Sequence, residues 1–320
     1  MRNLKVLAAV FLMGLASCST RLDLVNPAEP IPVVYCQMDP TDHTFYLTLT
    51  RTFSGDANAY DLARDPDQVF YTQADIRMEG WVGEYKVWET QFKPAGKTKV
   101  QGIFPNVPGY CFEAINDHML TVAITNYRLV VNLPGMASPA YSKIGIVEVP
   151  VVKSKWDNQI SFYNNAAKEI GIEPGLGTAY CDLICVFRYQ QMEGVWVNHS
   201  DTFLMRRDIS FDVGRTDFFY AELFYKQIAA NIKPVNDTIV RKFTSLDLIL
   251  FAGDIYFRDY VETYVNAGNL DNPPKGNIIN GIGLFTMRRF AKKPDMTLDR
   301  WALDSLCLGQ YTKQLGFVRW

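Results

Sequence analysis

Histidine is scarce in this chain: His43, His118 and His199 are the only three among 320 residues. None stands in an H-E-x-x-H array, and no Cys/His set has zinc spacing, so no metal centre is expected. There is no CxxC pair, no G-x-S-x-G elbow and no G-x-x-x-x-G-K-[ST] loop. Those absences leave thiol-redox, serine-hydrolase and phosphate-loop chemistry without a signature. Basic excess is also missing, with 32 Lys and Arg against 34 Asp and Glu. A nucleic-acid partner, which calls for a basic surface, is therefore not expected. No cofactor and no catalytic residue is assigned.

The N-terminus carries the most specific pattern. Arg2 and Lys5 precede an apolar run, Val6 to Ala16, of 11 residues. That is too short for a spanning helix, which needs about 20 residues. Leu15-Ala16-Ser17-Cys18 follows, and the order resembles a bacterial lipoprotein signal. The resemblance implies cleavage between Ser17 and Cys18, a diacylglycerol on the Cys18 thiol and an acyl chain such as palmitate on the new amine. Membrane lipid is then a partner through acylated Cys18, because two or more chains anchor stably where one does not. The blander alternative is an ordinary secretory signal with a chance cysteine. Ser19, rather than an acidic residue, follows Cys18, which by the same resemblance favours the outer membrane. Whether the body faces the periplasm or the outside is left open.

Without residues 1–17 the chain has 303 residues, and 30 cations against 34 anions leave a formal charge of −4. Residues 18–32 read as a lipidated cysteine and flexible tether holding Pro27, Pro30 and Pro32. Five cysteines then remain: Cys36, Cys111, Cys181, Cys185 and Cys307. The number is odd, so at least one lacks an intrachain partner. Cys181 and Cys185, four apart in a strand, stand about 13 Å apart and cannot bridge directly. Small buried hydrophobes are the plainer reading of all five.

The rest is a mainly β pattern. Val33–Met38 and Thr44–Thr50 read as a hairpin, with Phe45, Leu47 and Leu49 on one face. A polar excursion with a helical turn near Leu62 and Ala63, stopped near Pro66, comes next. Strands are expected at Asp75–Trp81, Tyr85–Thr90, Tyr110–Ile115, Leu120–Asn126 and Lys143–Val152. Short alternating strands at this spacing predict a β-sandwich over 33–135. Residues 136–320 read as a β-rich section, with no clear linker before it. Tyr180–Gln191 and Val195–Arg206 form a long hairpin, followed by helices near 216–232 and 254–265. A strand at Phe243–Ala252, a Gly/Asn/Pro-rich loop over 266–281, a strand at Ile282–Met287 and a helix or strand at Leu298–Leu306 complete the chain.

Several side chains invite a functional reading beside a structural one. Asp61, Asp65 and Asp67 could offer oxygens to Ca²⁺, though they lack the EF-hand order and read more simply as a solvated turn. Asp42-His43 sits at a hairpin turn. Trp81, Trp88 and Trp156 could stack sugar rings, Trp88 by facing opposite to Tyr85, Val87 and Glu89; packing is the plainer reading. Gly276, Gly281 and Gly283 with Asn277 and Asn280 permit positive φ, as a shaped turn docking the last strand would require.

Three stretches, Pro32-Val33-Val34-Tyr35-Cys36-Gln37-Met38-Asp39-Pro40, Thr50-Arg51-Thr52-Phe53-Ser54-Gly55-Asp56-Ala57-Asn58-Ala59 and Gly276-Asn277-Ile278-Ile279-Asn280-Gly281-Ile282-Gly283-Leu284-Phe285, carry a wider resemblance. Their order and spacing resemble an uncharacterised outer-envelope lipoprotein family of Bacteroidetes (Bacteroidota) with an immunoglobulin-like sandwich. In surface lipoproteins of some members of that phylum an acidic run follows the cysteine; it is absent here. The resemblance implies a non-enzymatic binding or accessory component associated with a TonB-dependent outer-membrane transporter. The alternatives are a structural or adhesive surface protein such as a fimbrial subunit, or a polysaccharide-acting enzyme.

Overall fold

A computed structural model describes residues 29–53, 55, 57–71, 73–97, 105, 110–117, 123–154, 158–161, 170–206, 217–235, 239–266 and 276–319. The signal, Cys18 and most of the tether lie outside the described residues, as do His118, Trp156 and Thr216.

A strand turns successive side chains to opposite faces, so alternation sets which residues meet. β1 (Pro32–Met38) turns Val34, Cys36 and Met38 inward, and β2 (Thr44–Arg51) does so with Phe45, Leu47 and Leu49. Between them Asp39 closes the turn: its Oδ1 accepts from the Thr41 N–H at 2.9 Å and the Thr41 hydroxyl at 2.7 Å. The helical turn expected next is a pair of short helices, α1 (Ala59–Arg64) and α2 (Pro66–Val69). Pro66 ends the first and opens the second, where its missing N–H leaves nothing unsatisfied. Then come β3 (Asp75–Val82), β4 (Tyr85–Gln91), β5 (Lys93–Pro94), β6 (Cys111–Ile115), β7 (Asn126–Asn132) and β8 (Ala140–Gly145).

These eight strands lie in the orders β1-β2-β6-β5 and β4-β3-β7-β8. Lettered in chain order they are A-B-E-D against C′-C-F-G, the strand order of an immunoglobulin-type sandwich. Phe45, Leu47 and Leu49 of one sheet share a core with Ile76, Met78, Leu129 and Val131 of the other.

The remaining elements are β9 (Val151–Ser154), β10 (Gln159–Ile160), β11 (Ile170–Glu173), β12 (Tyr180–Met192), β13 (Trp196–Arg206), β14 (Asp217–Phe219), α3 (Ala221–Asn231), β15 (Arg241–Gly253), α4 (Ile255–Asn266), β16 (Ile282–Leu298) and α5 (Arg300–Leu308). Strands β12 and β13 form the expected hairpin, and β15 flanks β12 on its other side. Leu183, Cys185, Phe187 and Tyr189 share the inner face of β12. Phe224 and Ile228 of α3 and Leu306 of α5 cover that face, making a second core of sheet and helices. At its centre Phe187 meets Phe243 and Phe317 with ring centroids 5.1 and 5.9 Å away.

Strand β16 joins the two cores. Its first six residues run parallel to β1, from Val33↔Ile282 to Met38↔Met287. From Arg288 onward it runs antiparallel to β15, as far as Leu246↔Met296. One sheet therefore extends β13-β12-β15-β16-β1-β2-β6-β5, with β10 beside the end of β16.

The sandwich therefore extends beyond the expected boundary at residue 135. Its outer strand β8 pairs with β7, and Ala140, Ile144, Val147, Phe285 and Met287 fill its core. Residues 33–135 alone leave both sheets one strand short. The helix expected over 216–232 is also corrected. Asp217–Phe219 pair as a strand with β11, and the helix begins at Ala221. Phe218 and Phe219 are good strand residues, and Tyr220 enters the helix with extended backbone and no side-chain cap. Of the strand expected at Leu120–Asn126, residues 120–122 lie outside the described residues, residues 123–125 form no strand, and β7 begins at Asn126, where Tyr127, Leu129 and Val131 supply the inward alternation. The single strand expected over Lys143–Val152 is broken into β8 and β9, in different sheets.

Residues 276–281 dock β16. The Asn277 side chain donates to the Phe285 carbonyl at 2.7 Å and accepts from the Phe285 N–H at 2.8 Å, taking the place of a strand neighbour. Ile279 exchanges both backbone bonds with Tyr141 of β8, at 2.8 and 3.0 Å. Gly283 has φ of +119°, and a Cβ there would lie 1.9 Å from the Val34 carbonyl oxygen. This is the shaped turn read from the glycines, and it ties β8 of one sheet to β1 of the other.

Candidate functional site

At one end of the sandwich the β1–β2 turn, the end of β6, the start of β7 and the segment after β8 converge on β16. They enclose a cleft of about 270 Å³. Trp88, Ile124, Tyr127, Val147 and Met287 give it apolar walls. Thr41, Asn116, Glu148 and Arg289 are its polar groups.

Each side chain has a local reason for its place. Arg289 has the same strand parity as Phe285 and Met287, so it faces the core side of β16 just where the sandwich core ends. It is four-fifths buried. Its Nε stands 3.8 Å from the Asp39 carboxylate, and the guanidinium makes no hydrogen bond among the described residues. Asp39 is itself buried and already bonded to Thr41. Tyr127 is 7% exposed, and its hydroxyl also lacks a hydrogen-bond partner among the described residues. Burial raises the Tyr127 pKa to about 12, with Arg289 pulling the other way, so the phenol stays protonated. Asn116 is occupied, donating to the carbonyls of Pro40 and Asp42 at 2.9 and 3.0 Å. Glu148 stands at the rim, exposed, with one oxygen accepting from the Leu176 N–H at 3.1 Å.

Chemically the cleft can hold a ligand, by apolar walls and a small number of polar groups. The Thr41 hydroxyl that donates to Asp39 at 2.7 Å closes the β1–β2 turn, and among the described residues no three or more His, Cys, Asp or Glu converge as a metal would need.

Of the residues singled out in the sequence that the structure describes, Trp88 alone lines the cleft. Trp88 is in the cleft wall, buried rather than offered to solvent. Its parity opposes the exposed Tyr85, Val87 and Glu89, which turns it into the core, where it meets Phe45 and Tyr127 edge-on at 6.3 Å each. Its indole N–H donates to Asp117 at 2.8 Å. Trp81 lies on the outer face of β3, with the Arg128 guanidinium 3.6 Å over its ring and its N–H bonded to Glu79. That ring face is filled, which removes it as a sugar platform.

Asp65 caps α2 through the Asp67 N–H at 3.0 Å, the role of a turn residue rather than a calcium ligand. His43 is exposed at the hairpin turn, and His199 stacks on Tyr189 with its Nε2 3.0 Å from Glu193. All five cysteines outside the signal are buried and unpaired, and burial pushes the thiols of Cys36 and Cys181 up to about 12. They are packing groups, not nucleophiles.

Arg289 and Tyr127 escaped sequence reading. The available signal was an arginine continuing the inward parity of Phe285 and Met287, in a strand whose extension past Met287 was not foreseen.

A second charged cluster is structural. Asp247, on the outer face of β15, takes two bonds from Arg188, at 2.7 and 2.5 Å, and one contact from Lys292 at 2.8 Å. It also accepts from the Asp295 N–H at 3.0 Å. These cations hold its carboxyl well below the usual carboxylate range and cover it, although it sits near the surface of the sheet.

No protein-family model matches the chain, and no curated protein matches it.

Proposed function

We propose that this chain is a membrane-anchored envelope lipoprotein, held by acylated Cys18, that works as a non-enzymatic binding component through the cleft at the end of its sandwich. The observation that supports binding is the cleft itself: apolar walls around an arginine and a tyrosine whose polar groups make no hydrogen bond among the described residues. The anchor rests on Leu15-Ala16-Ser17-Cys18 and the charged, apolar segment before it. Among the described residues no helix is long and apolar enough to cross a membrane. The finer reading, an outer-membrane accessory to a TonB-dependent transporter, rests on the family resemblance.

Membrane fractionation tests the anchor. Cys18→Ser is expected to move the protein from the membrane fraction to the soluble one and to abolish incorporation of labelled palmitate. Unchanged fractionation would overturn the anchor. Affinity purification of the acylated chain from its native membranes tests the accessory role, and repeated recovery without a transporter would count against it.

A further inference from the structure

We infer that the cleft takes a small organic monocarboxylate with an apolar body, its carboxylate received by Arg289 and Tyr127. The inference rests on the reading of the chain as a binding protein and names the ligand class.

Charge is the first argument. Burying a guanidinium is costly unless its donors find acceptors. Arg289 is four-fifths buried, yet its one ionic neighbour is Asp39, at 3.8 Å from Nε. The terminal nitrogens make no hydrogen bond among the described residues. An arginine fork fits a carboxylate with two parallel bonds. Asp39 does not fill that role in this structure: its nearest approach is Oδ1, 3.8 Å from Nε and beyond hydrogen-bond distance, and that oxygen already accepts from the Thr41 N–H and hydroxyl. It orients the guanidinium and leaves the fork free.

The second argument is Tyr127. Tyr127 lines the cleft and is buried as a residue, and its hydroxyl makes no hydrogen bond among the described residues. A phenol that stays protonated, open to the cleft and without a protein partner, is a donor available to an anion. Arg289 and Tyr127 line the same cleft.

Sign and size set the limits. Asp39 stands 3.8 Å from the arginine, and the Glu148 carboxylate belongs to the lining of the same cleft. A second negative charge on the ligand would meet both, which selects a monoanion over a dianion. The volume, about 270 Å³, lies at the lower edge of the range for small-ligand sites, about 300–1,000 Å³. Trp88, Ile124, Val147 and Met287 then favour an aromatic or branched aliphatic body.

Isothermal titration of the full chain in detergent, with Trp88 fluorescence as a second signal, tests this. The probes are phenylacetate and 4-methylpentanoate, their neutral amides, and phthalate as a dianion. The carboxylates are expected to bind saturably, the amides and phthalate at least about tenfold more weakly. Arg289→Gln should lose at least about tenfold in affinity for the carboxylates and nothing for the amides. Tyr127→Phe should weaken carboxylates severalfold. Arg288→Gln, which changes a neighbour occupied with Asp42 and Gln37, should bind as the parent does, and matching melting curves will show that each variant folds. Equal binding of acid and amide would overturn the anion assignment while leaving a binding cleft in place. Saturable binding of none of the probes at millimolar concentration would overturn the site. Neither result touches the fractionation of Cys18→Ser.

Discussion

Asn277 does with its side chain what a neighbouring strand would do with its backbone. Its amide donates to the Phe285 carbonyl and accepts from the Phe285 N–H, and Phe285 is fully buried. Removing the amide leaves two buried backbone groups without partners. Asn277→Ala should cost about 1–3 kcal/mol for each group stranded, read as a fall in the denaturation midpoint. Asn277→Asp should do no better, since a carboxylate satisfies the N–H but repels the carbonyl; an Asp variant as stable as the parent would refute the pairing. Asp247 gives a pH prediction. Its pKa is depressed in the folded state, first by Arg188 and then by Lys292 and the Asp295 N–H. The stability it contributes is therefore present above the unfolded carboxylate pKa, about 3.9, and is lost as pH falls toward the lower folded value. The gap in melting temperature between the parent and Asp247→Asn should be widest near neutral pH and close on acidification. A gap that is flat with pH would show that the loss is one of packing.

At the scale of elements, Gly283 decides whether β16 can lie beside β1. Its positive φ and the 1.9 Å approach of a Cβ to the Val34 carbonyl leave room for no side chain. Gly283→Ala should cost of order 1–3 kcal/mol in backbone strain alone, with further loss from the broken β1–β16 pairing, and hydrogen exchange along Val34–Met38 should report it. This turn was legible in the sequence because Gly and Asn at those positions carry a conformational meaning. So were most strands of the sandwich, where one buried face makes alternation clean. The extension of β16 past Met287 was not legible. Arg288, Lys292 and Lys293 interrupt the apolar pattern, and the strand is held instead by pairing with β15. Helix α3 was placed too early because Asp217, Phe218 and Phe219 suit a helix by spacing and a strand by residue type; pairing with β11 decides in favour of the strand. The cleft was the least legible feature, being made of residues from turns and strand ends that lie far apart in sequence.

At the scale of the whole molecule, the two cores are not separable at residue 135. A fragment of residues 29–135 lacks β8 and the β16 segment that covers β1. It should show a broad, non-cooperative unfolding transition and bind a hydrophobic dye, whereas the full chain should unfold sharply. A cooperative transition in the fragment would mean that the sandwich closes without its C-terminal strand. The composite site follows the same logic, since Arg289 reaches the cleft only when residues near the C-terminus have joined those near the N-terminus. The placing of β1 between β2 and the parallel segment of β16 also has a mechanical meaning. Ladder bonds run across the strands, not along them. A pull on the chain before Pro32 directed along the axis of β1 loads its bonds to both neighbours together, in shear, where a pull across the sheet would break them one at a time. Tension along that axis thus meets a strand held on both sides.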